Sequence, residues 1–166
     1  ALEKNSGKTS LSVKIIEKFS ADNKIYAIKG TVLRDFEGRK GFAIHEETNP
    51  DRQKDTGRLL AAGAEKVYWL KTDEEHAEEG ILAVLNKIPG DACILCESNT
   101  IRKYIHPGLF FMVQREFPAG AKKTASQVLN FVDLVVISQK SDEDIIYRPD
   151  VINLLNISEN GWKLKK

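Results

Sequence analysis

The segment Ser6-Gly7-Lys8-Thr9 carries, in order, the groups that a triphosphate requires. Gly7 has no Cβ, so the backbone can curl until its amides converge on an anion. Lys8 brings an ammonium for the β- and γ-oxygens, and the Thr9 hydroxyl can complete the octahedral shell of a magnesium ion. Leu11, Val13, Ile15, Ile16 and Phe19 then recur as the apolar stripe of a helix whose positive amino end would face the phosphates. Asn5, Ser6, Gly7, Lys8, Thr9 and Ser10 are thus expected to wrap a nucleotide. The full pattern G-x-x-x-x-G-K-[ST] also asks for a glycine where Leu2 stands, and for a buried strand ahead of the loop. Two readings stay open: a phosphate loop whose strand is missing upstream of residue 1, or an ordinary helix start with Ser6 as its N-cap.

A nucleotide site needs a further carboxylate, usually at the end of a buried strand, to hold or orient water. Glu97 closes the apolar run DACILCE in this way, whereas Asp91 opens that run and reads as a turn residue. Downstream, Gln139-Lys140-Ser141-Asp142 follows the apolar run DLVVIS. GTP-binding proteins read guanine with Asn-Lys-x-Asp in such a place. The carboxylate accepts the N1 and N2 protons and the lysine stem covers the ring, so Lys140 and Asp142 would select GTP over ATP. The alternative is a polar turn with Asp142 capping a following helix. Lys29 ends a short strand and could reach the phosphates or a partner, or be a surface lysine. His45, His76 and His106 share no metal-ligand spacing, and Arg102, Lys103 and His106 make a basic loop that reads as solvated.

The elements that must position these residues alternate along the chain. Strand-like runs cover 24–29, 65–71, 91–97, 108–113 and 133–138, and helix-like segments cover 52–62, 74–87 and 122–131. Continuous apolar runs separated by helices predict an α/β fold, mostly parallel, with helices on both faces of the sheet and ligands at the carboxyl ends of the strands. The stretches 30–49 and 98–107 interrupt the alternation as long loops. In the tail, R-P-D-V-I-N-L-L reads as a helix with Pro149 in its first turn, and NGWKLKK as an edge strand or a frayed end.

At 166 residues the chain is one domain's worth. Its 25 Lys and Arg against 24 Asp and Glu leave a net charge of +1, which offers no electrostatic hold on nucleic acid. No apolar run is long enough to span a bilayer, and the chain is expected in the cytoplasm. Cys93 and Cys96, three apart on a strand, point to opposite faces. They read as reduced core thiols.

Taken together the pattern resembles the molybdopterin-guanine dinucleotide biosynthesis protein B (MobB) family, P-loop proteins related to nickel-insertion GTPases. The resemblance rests on Ser6-Gly7-Lys8-Thr9, on Ile28-Lys29, and on the run from Lys54-Asp55-Thr56-Gly57-Arg58 to Ala62-Gly63-Ala64, similar to the family's K-D-S-x-R-x-x-x-A-G-A. It rests also on Leu95-Cys96-Glu97, similar to a strand ending V-E-G, with Ser98 in place of that glycine. The family's histidine-rich segment after Ile-Lys is replaced here by Gly30-Thr31-Val32-Leu33-Arg34-Asp35.

The resemblance implies a single three-layer P-loop NTPase domain over 1–166, with Mg²⁺ and GTP as ligands. It places Asp55 near the magnesium and γ-phosphate, so that Thr9, Glu97 and Asp55 form the metal set and Asp55 and Glu97 the catalytic pair. The implied role is slow GTP hydrolysis assisting synthesis of the guanine dinucleotide form of the molybdenum cofactor, with a molybdopterin guanylyltransferase as partner. No finger residue is identifiable, so a partner or a homodimer would complete the site. The alternatives are a non-catalytic nucleotide-binding adapter for a nucleotidyltransferase, and an ATP-using P-loop enzyme or metallochaperone of a related cofactor pathway.

Overall fold

The computed structural model describes residues 6–33, 40–98, 100–116, 127–141, 144–159 and 161–165. Asn5 and Asp142 lie outside the described residues. The chain is mixed α/β. Strand β1 (Ile25–Val32) sits at the centre of a four-stranded sheet ordered β2-β3-β1-β4. It pairs in parallel with β3 (Lys66–Thr72) and with β4 (Cys93–Glu97), while β2 (Phe42–Glu47) runs antiparallel along the edge of β3.

The period of two along β1 divides the core. Ile25 and Ala27 cluster with Val67 of β3, with Ile16 of helix α1 (Lys8–Phe19) and with Leu59 of helix α2 (Asp55–Ala61). Tyr26 and Ile28 point the other way and cluster with Tyr68 and Leu70 of β3 and with Ile81 and Val84 of helix α3 (Ala77–Leu85). Each isoleucine so buried contributes about 1.5–3 kcal/mol. Helices therefore cover both faces of this sheet, and β1 is pinned between them.

A second sheet is ordered β5-β6-β7, with β5 (Phe111–Arg115) parallel to β6 (Leu134–Lys140) and β7 (Ile145–Arg148) antiparallel to it. Helix α1 joins the two sheets: Ile16 packs on the first, while Leu11 and Ile15 pack with Val113 of β5 and Val136 of β6 on the second. A short helix, α4 (Val151–Leu154), leads into a hairpin of β8 (Leu155–Ser158) and β9 (Gly161–Leu164). No helix among the described residues is long and apolar enough to cross a membrane.

Several expectations are corrected. The stretch 30–49 is not all loop, because β1 runs on to Val32 and Phe42 and Ile44 of β2 pack against the α3 side of the core. Strand pairing is mixed: the parallel core β3-β1-β4 and the pair β5-β6 carry antiparallel edges. The tail helix begins after Asp150, whose side chain accepts from the Asn153 amide, so Pro149 stands before the cap and outside the first turn. Of the expected helix 122–131, the described part is a 3-10 turn over Leu129–Phe131. The Gln139-Lys140 pair belongs to β6 itself, and the next described element is strand β7 rather than a helix. Cys93 and Cys96 are both free thiols, but Cys96 is exposed rather than a core residue.

Candidate functional site

Residues of β1, β4 and β6, namely Lys29, Glu97 and Ser138, meet at the turn that starts α1. Gly7, with φ 81° and ψ 11°, is the residue before the helix, in the left-handed region that costs a glycine nothing. A Cβ there would stand 3.1 Å from the Tyr147 hydroxyl. Ser6 is not the helix cap: the helix has no side-chain cap, and Ser6 is buried one residue earlier.

The turn is tied from the second sheet. Tyr147 donates its hydroxyl to the Gly7 carbonyl at 2.7 Å, and the Ser138 hydroxyl lies 2.9 Å from the Ser6 carbonyl and 3.1 Å from that of Gln114 on β5. Burial, with the Asp144 charge adding to it, pushes the Tyr147 phenol up, so it stays a donor at physiological pH. The Lys8 ammonium comes within 3.5 Å of the Ser6 hydroxyl.

The first sheet supplies the charges. Thr9 donates its hydroxyl to Glu97 Oε1 at 3.1 Å. Lys29, on β1 beside Glu97, donates to the same oxygen at 2.6 Å and to Asp55 Oδ2 at 2.7 Å. The Glu97 side chain is 4% exposed, that of Lys29 19% and that of Asp55 48%, so the ion pair grades from buried to half-open. Glu97 Oε2 is buried with no hydrogen-bond partner among the described residues. That is the atom a ligand or a metal-bound water would engage.

Burial pulls the Lys29 ammonium down, but the Glu97 and Asp55 charges and hydrogen bonds outweigh it and hold the group above the ordinary lysine range. At Asp55 burial raises the carboxyl, and Lys29, Thr9 and Arg58 together hold it below the ordinary aspartate range. Both groups are therefore charged at neutral pH.

Arg58 enters one turn along α2. Its Nη2 donates to the Ser10 hydroxyl at 2.9 Å, and its Nη1 lies 4.0 Å from Asp55 Oδ1. The helix holding Asp55 and Arg58 approaches the chain before it closely, since a Cβ on Gly57 would meet the Asp51 carbonyl oxygen at 2.1 Å. Only glycine fits there.

No family model, no curated protein and no solved structure matches this chain. The site has to be read from its own geometry.

Ser6, Gly7, Lys8, Thr9, Ser10, Asp55 and Glu97 stand together around the start of α1. Lys140 is exposed, two residues beyond Ser138 on the same side of β6, which puts it about 7 Å further along the strand. No group of three or more His, Cys, Asp or Glu side chains is gathered for a metal among the described residues. The set at hand is two carboxylates and the Thr9 hydroxyl. His76 is structural: its amide and Nδ1 lie 2.8 and 2.7 Å from Asp73 Oδ1. Arg102 donates to the Ile105 carbonyl at 3.0 Å and lies over the Phe131 ring, so the basic loop is partly folded against the protein.

Lys29, which the sequence offers as a lysine for phosphates or a partner or as a plain surface lysine, is instead the cation that bridges Glu97 and Asp55. One residue at this site has no role in the sequence: Arg58 sits inside the Lys54–Arg58 stretch but has no assigned partner until α2 is docked on α1.

Proposed function

We propose that the chain is a guanine-nucleotide-binding protein of the P-loop kind, with a three-layer fold and a slow, magnesium-dependent GTPase activity. In this reading it resembles the MobB family in role and assists formation of the guanine dinucleotide form of the molybdenum cofactor beside a guanylyltransferase. The observation that carries the reading is the Thr9–Glu97 contact: the first-turn hydroxyl of the helix after a left-handed Gly-Lys turn bonds a buried carboxylate at the end of a parallel strand. Hydroxyl and carboxylate at that place are what magnesium beside a phosphate chain requires.

The residues fit the metal through oxygen donors alone, and the unsatisfied Glu97 Oε2 is a ready acceptor. Thr9, Glu97 and Asp55 would hold the ion or its waters. Magnesium, when bound, supplies charge neutralisation on the β- and γ-oxygens. The amides after Gly7 and the Lys8 ammonium bind the phosphates at the positive end of α1. Glu97 takes the proton of an attacking water, and Asp55 orients that water. Arg58 is close enough, through Ser10, to add charge as the γ-phosphoryl group passes to the water and GDP departs. Lys140 covers the base and Asp142 reads its N1 and N2 protons.

A second reading, the nucleotide-binding adapter without turnover, is favoured by Lys29. Its ammonium bridges one oxygen of each carboxylate, at 2.6 and 2.7 Å, an ion triad already in place without a ligand. Competition between GTP and ATP for a fluorescent nucleotide, followed by phosphate release with and without a guanylyltransferase, separates the possibilities. GTP preference with phosphate release supports the GTPase, and GTP binding without release under either condition supports the adapter. Preference for ATP removes the role given to Asp142.

A further inference from the structure

Between the two sheets lies a slot of about 470 Å³, walled by β4 on one side and β5 on the other. Among the described residues β4 pairs with β1 alone and β5 with β6 alone, so each turns one edge to the slot. The main-chain groups show which residues line it. The Cys93 amide donates to Lys24 ahead of β1, so the intervening Ile94 and Cys96 turn their amides and carbonyls toward the slot. The Phe110 carbonyl accepts from Asp133 and the Glu116 amide donates to Ser138, so Phe111 and Val113 turn theirs inward from the opposite side. At one end the Trp162 indole already takes the Ile94 carbonyl at 3.1 Å.

Both edges run in one direction. Glu97 at the end of β4 and Gln114 near the end of β5 are both reached from the Ser6–Thr9 turn, through Thr9 and through Ser138. The faces are apolar: Leu11 and Ile15 of α1 close one side, and Ile101 and Ile105 close the other. A row of main-chain donors and acceptors inside apolar walls demands a partner that brings its own main chain. With helix on one face and the 101–105 turn on the other, a second sheet cannot dock edge to edge, but a single strand can enter.

We propose that this slot holds one further β-strand of about five apolar residues, parallel to β4 and β5, which unites β2-β3-β1-β4 and β5-β6-β7 into one sheet. The strand is joined on the amino-terminal side of Ser6. A strand parallel to β4 and β5 delivers its carboxyl end to the place where Ser6 and Gly7 turn into α1, giving an unbroken strand-turn-helix. Its side chains alternate between Leu11 and Ile15 on one face and Ile101 and Ile105 on the other. The inference stands on main-chain geometry and is independent of the nucleotide reading.

Cys96, an exposed residue that lines the slot, reports occupancy. The test compares residues 1–166 with the same chain carrying six valine and isoleucine residues before Ala1, and with a control whose two central added residues are proline. Alkylation at Cys96 is read by fragment mass spectrometry in each. The apolar extension is expected to slow alkylation about tenfold or more and raise the thermal midpoint, while the proline control behaves as the unextended chain. Equal reaction in all three overturns the proposal, as does equal protection by the proline control. Protection by the free peptide in trans without protection by the tethered one overturns the amino-terminal assignment.

Discussion

Replacing Lys29 by methionine keeps the length of the stem and removes the charge that holds two carboxylates together. The Glu97 arm dominates the cost. With Glu97 4% and Lys29 19% exposed, deleting the cation leaves a buried carboxylate uncompensated, which costs about 3–5 kcal/mol. The Asp55 arm ends on a half-exposed group and, discounted for solvent screening, adds about 0.5 kcal/mol. A total near 4 kcal/mol lowers the melting temperature of a chain this size by about 8–16 °C. Glu97→Gln in the same background removes the stranded charge, so the double variant should recover about 2 kcal/mol over Lys29→Met alone. Urea unfolding of the wild type, both single variants and the double variant closes the cycle. The pH range matters to it. Lys29 titrates higher in the folded chain, so its share is complete below the ordinary 10.5 and is lost as pH rises through the folded value. Asp55 titrates lower, so its share is complete above the ordinary 3.8 and is lost as pH falls through the folded value. Between about pH 6 and 9 the wild-type share of both groups should be flat in pH, whereas the carboxylate stranded by Lys29→Met takes up a proton as pH falls, so the cost of that variant should shrink toward the acid end. Additive single-variant effects would refute the coupling through Glu97.

Three further outcomes follow from the geometry. Gly7→Ala forces a Cβ into the left-handed region and to within 3.1 Å of the Tyr147 hydroxyl, and should cost about 1–3 kcal/mol in chemical unfolding while α1 retains its circular dichroism. Gly57→Ala places a Cβ 2.1 Å from the Asp51 carbonyl oxygen, so α2 must shift. The expected loss is about 1–3 kcal/mol, with weaker Asp55–Lys29 pairing seen as a smaller effect of Lys29→Met in that background. Asp73 accepts from the Gly41 amide and, against the pull of burial, from His76, which holds it down to about 2. Its contribution is present above 3.8 and fades as pH falls to about 2. Asp73→Asn should therefore destabilise the protein at pH 7 and match the wild type near pH 2 in denaturant titrations.

The parts of this arrangement written in the sequence are those that depend on near neighbours. Gly7-Lys8-Thr9 followed by an apolar period of a helix fixes α1, and an acid closing an apolar run marks Glu97. What was hidden depends on pairing across the sheet. Lys29 becomes a bridging cation only when β1 lies beside β4, and Asp55 stood out through a family resemblance rather than through local pattern. Strand β2 escaped because His45 and Glu46, on opposite faces of it, are both exposed, which leaves Phe42 and Ile44 as its main apolar anchors within a charged stretch. β7 escaped because four residues give too short a period to read. The slot could not be read either, since an apolar run announces a buried strand without naming the strands beside it.

The central claim is that the turn from Ser6 to Thr9 binds the polyphosphate of a nucleotide with magnesium. Calorimetric titration of GTP into the chain, with and without Mg²⁺ and with Lys8→Ala alongside, tests it most directly. The account predicts saturable, magnesium-dependent binding, weakened about tenfold to a hundredfold by Lys8→Ala through loss of charge-assisted hydrogen bonds of about 1.5–3 kcal/mol. No saturable heat from the wild-type chain, or the same affinity in Lys8→Ala, contradicts it.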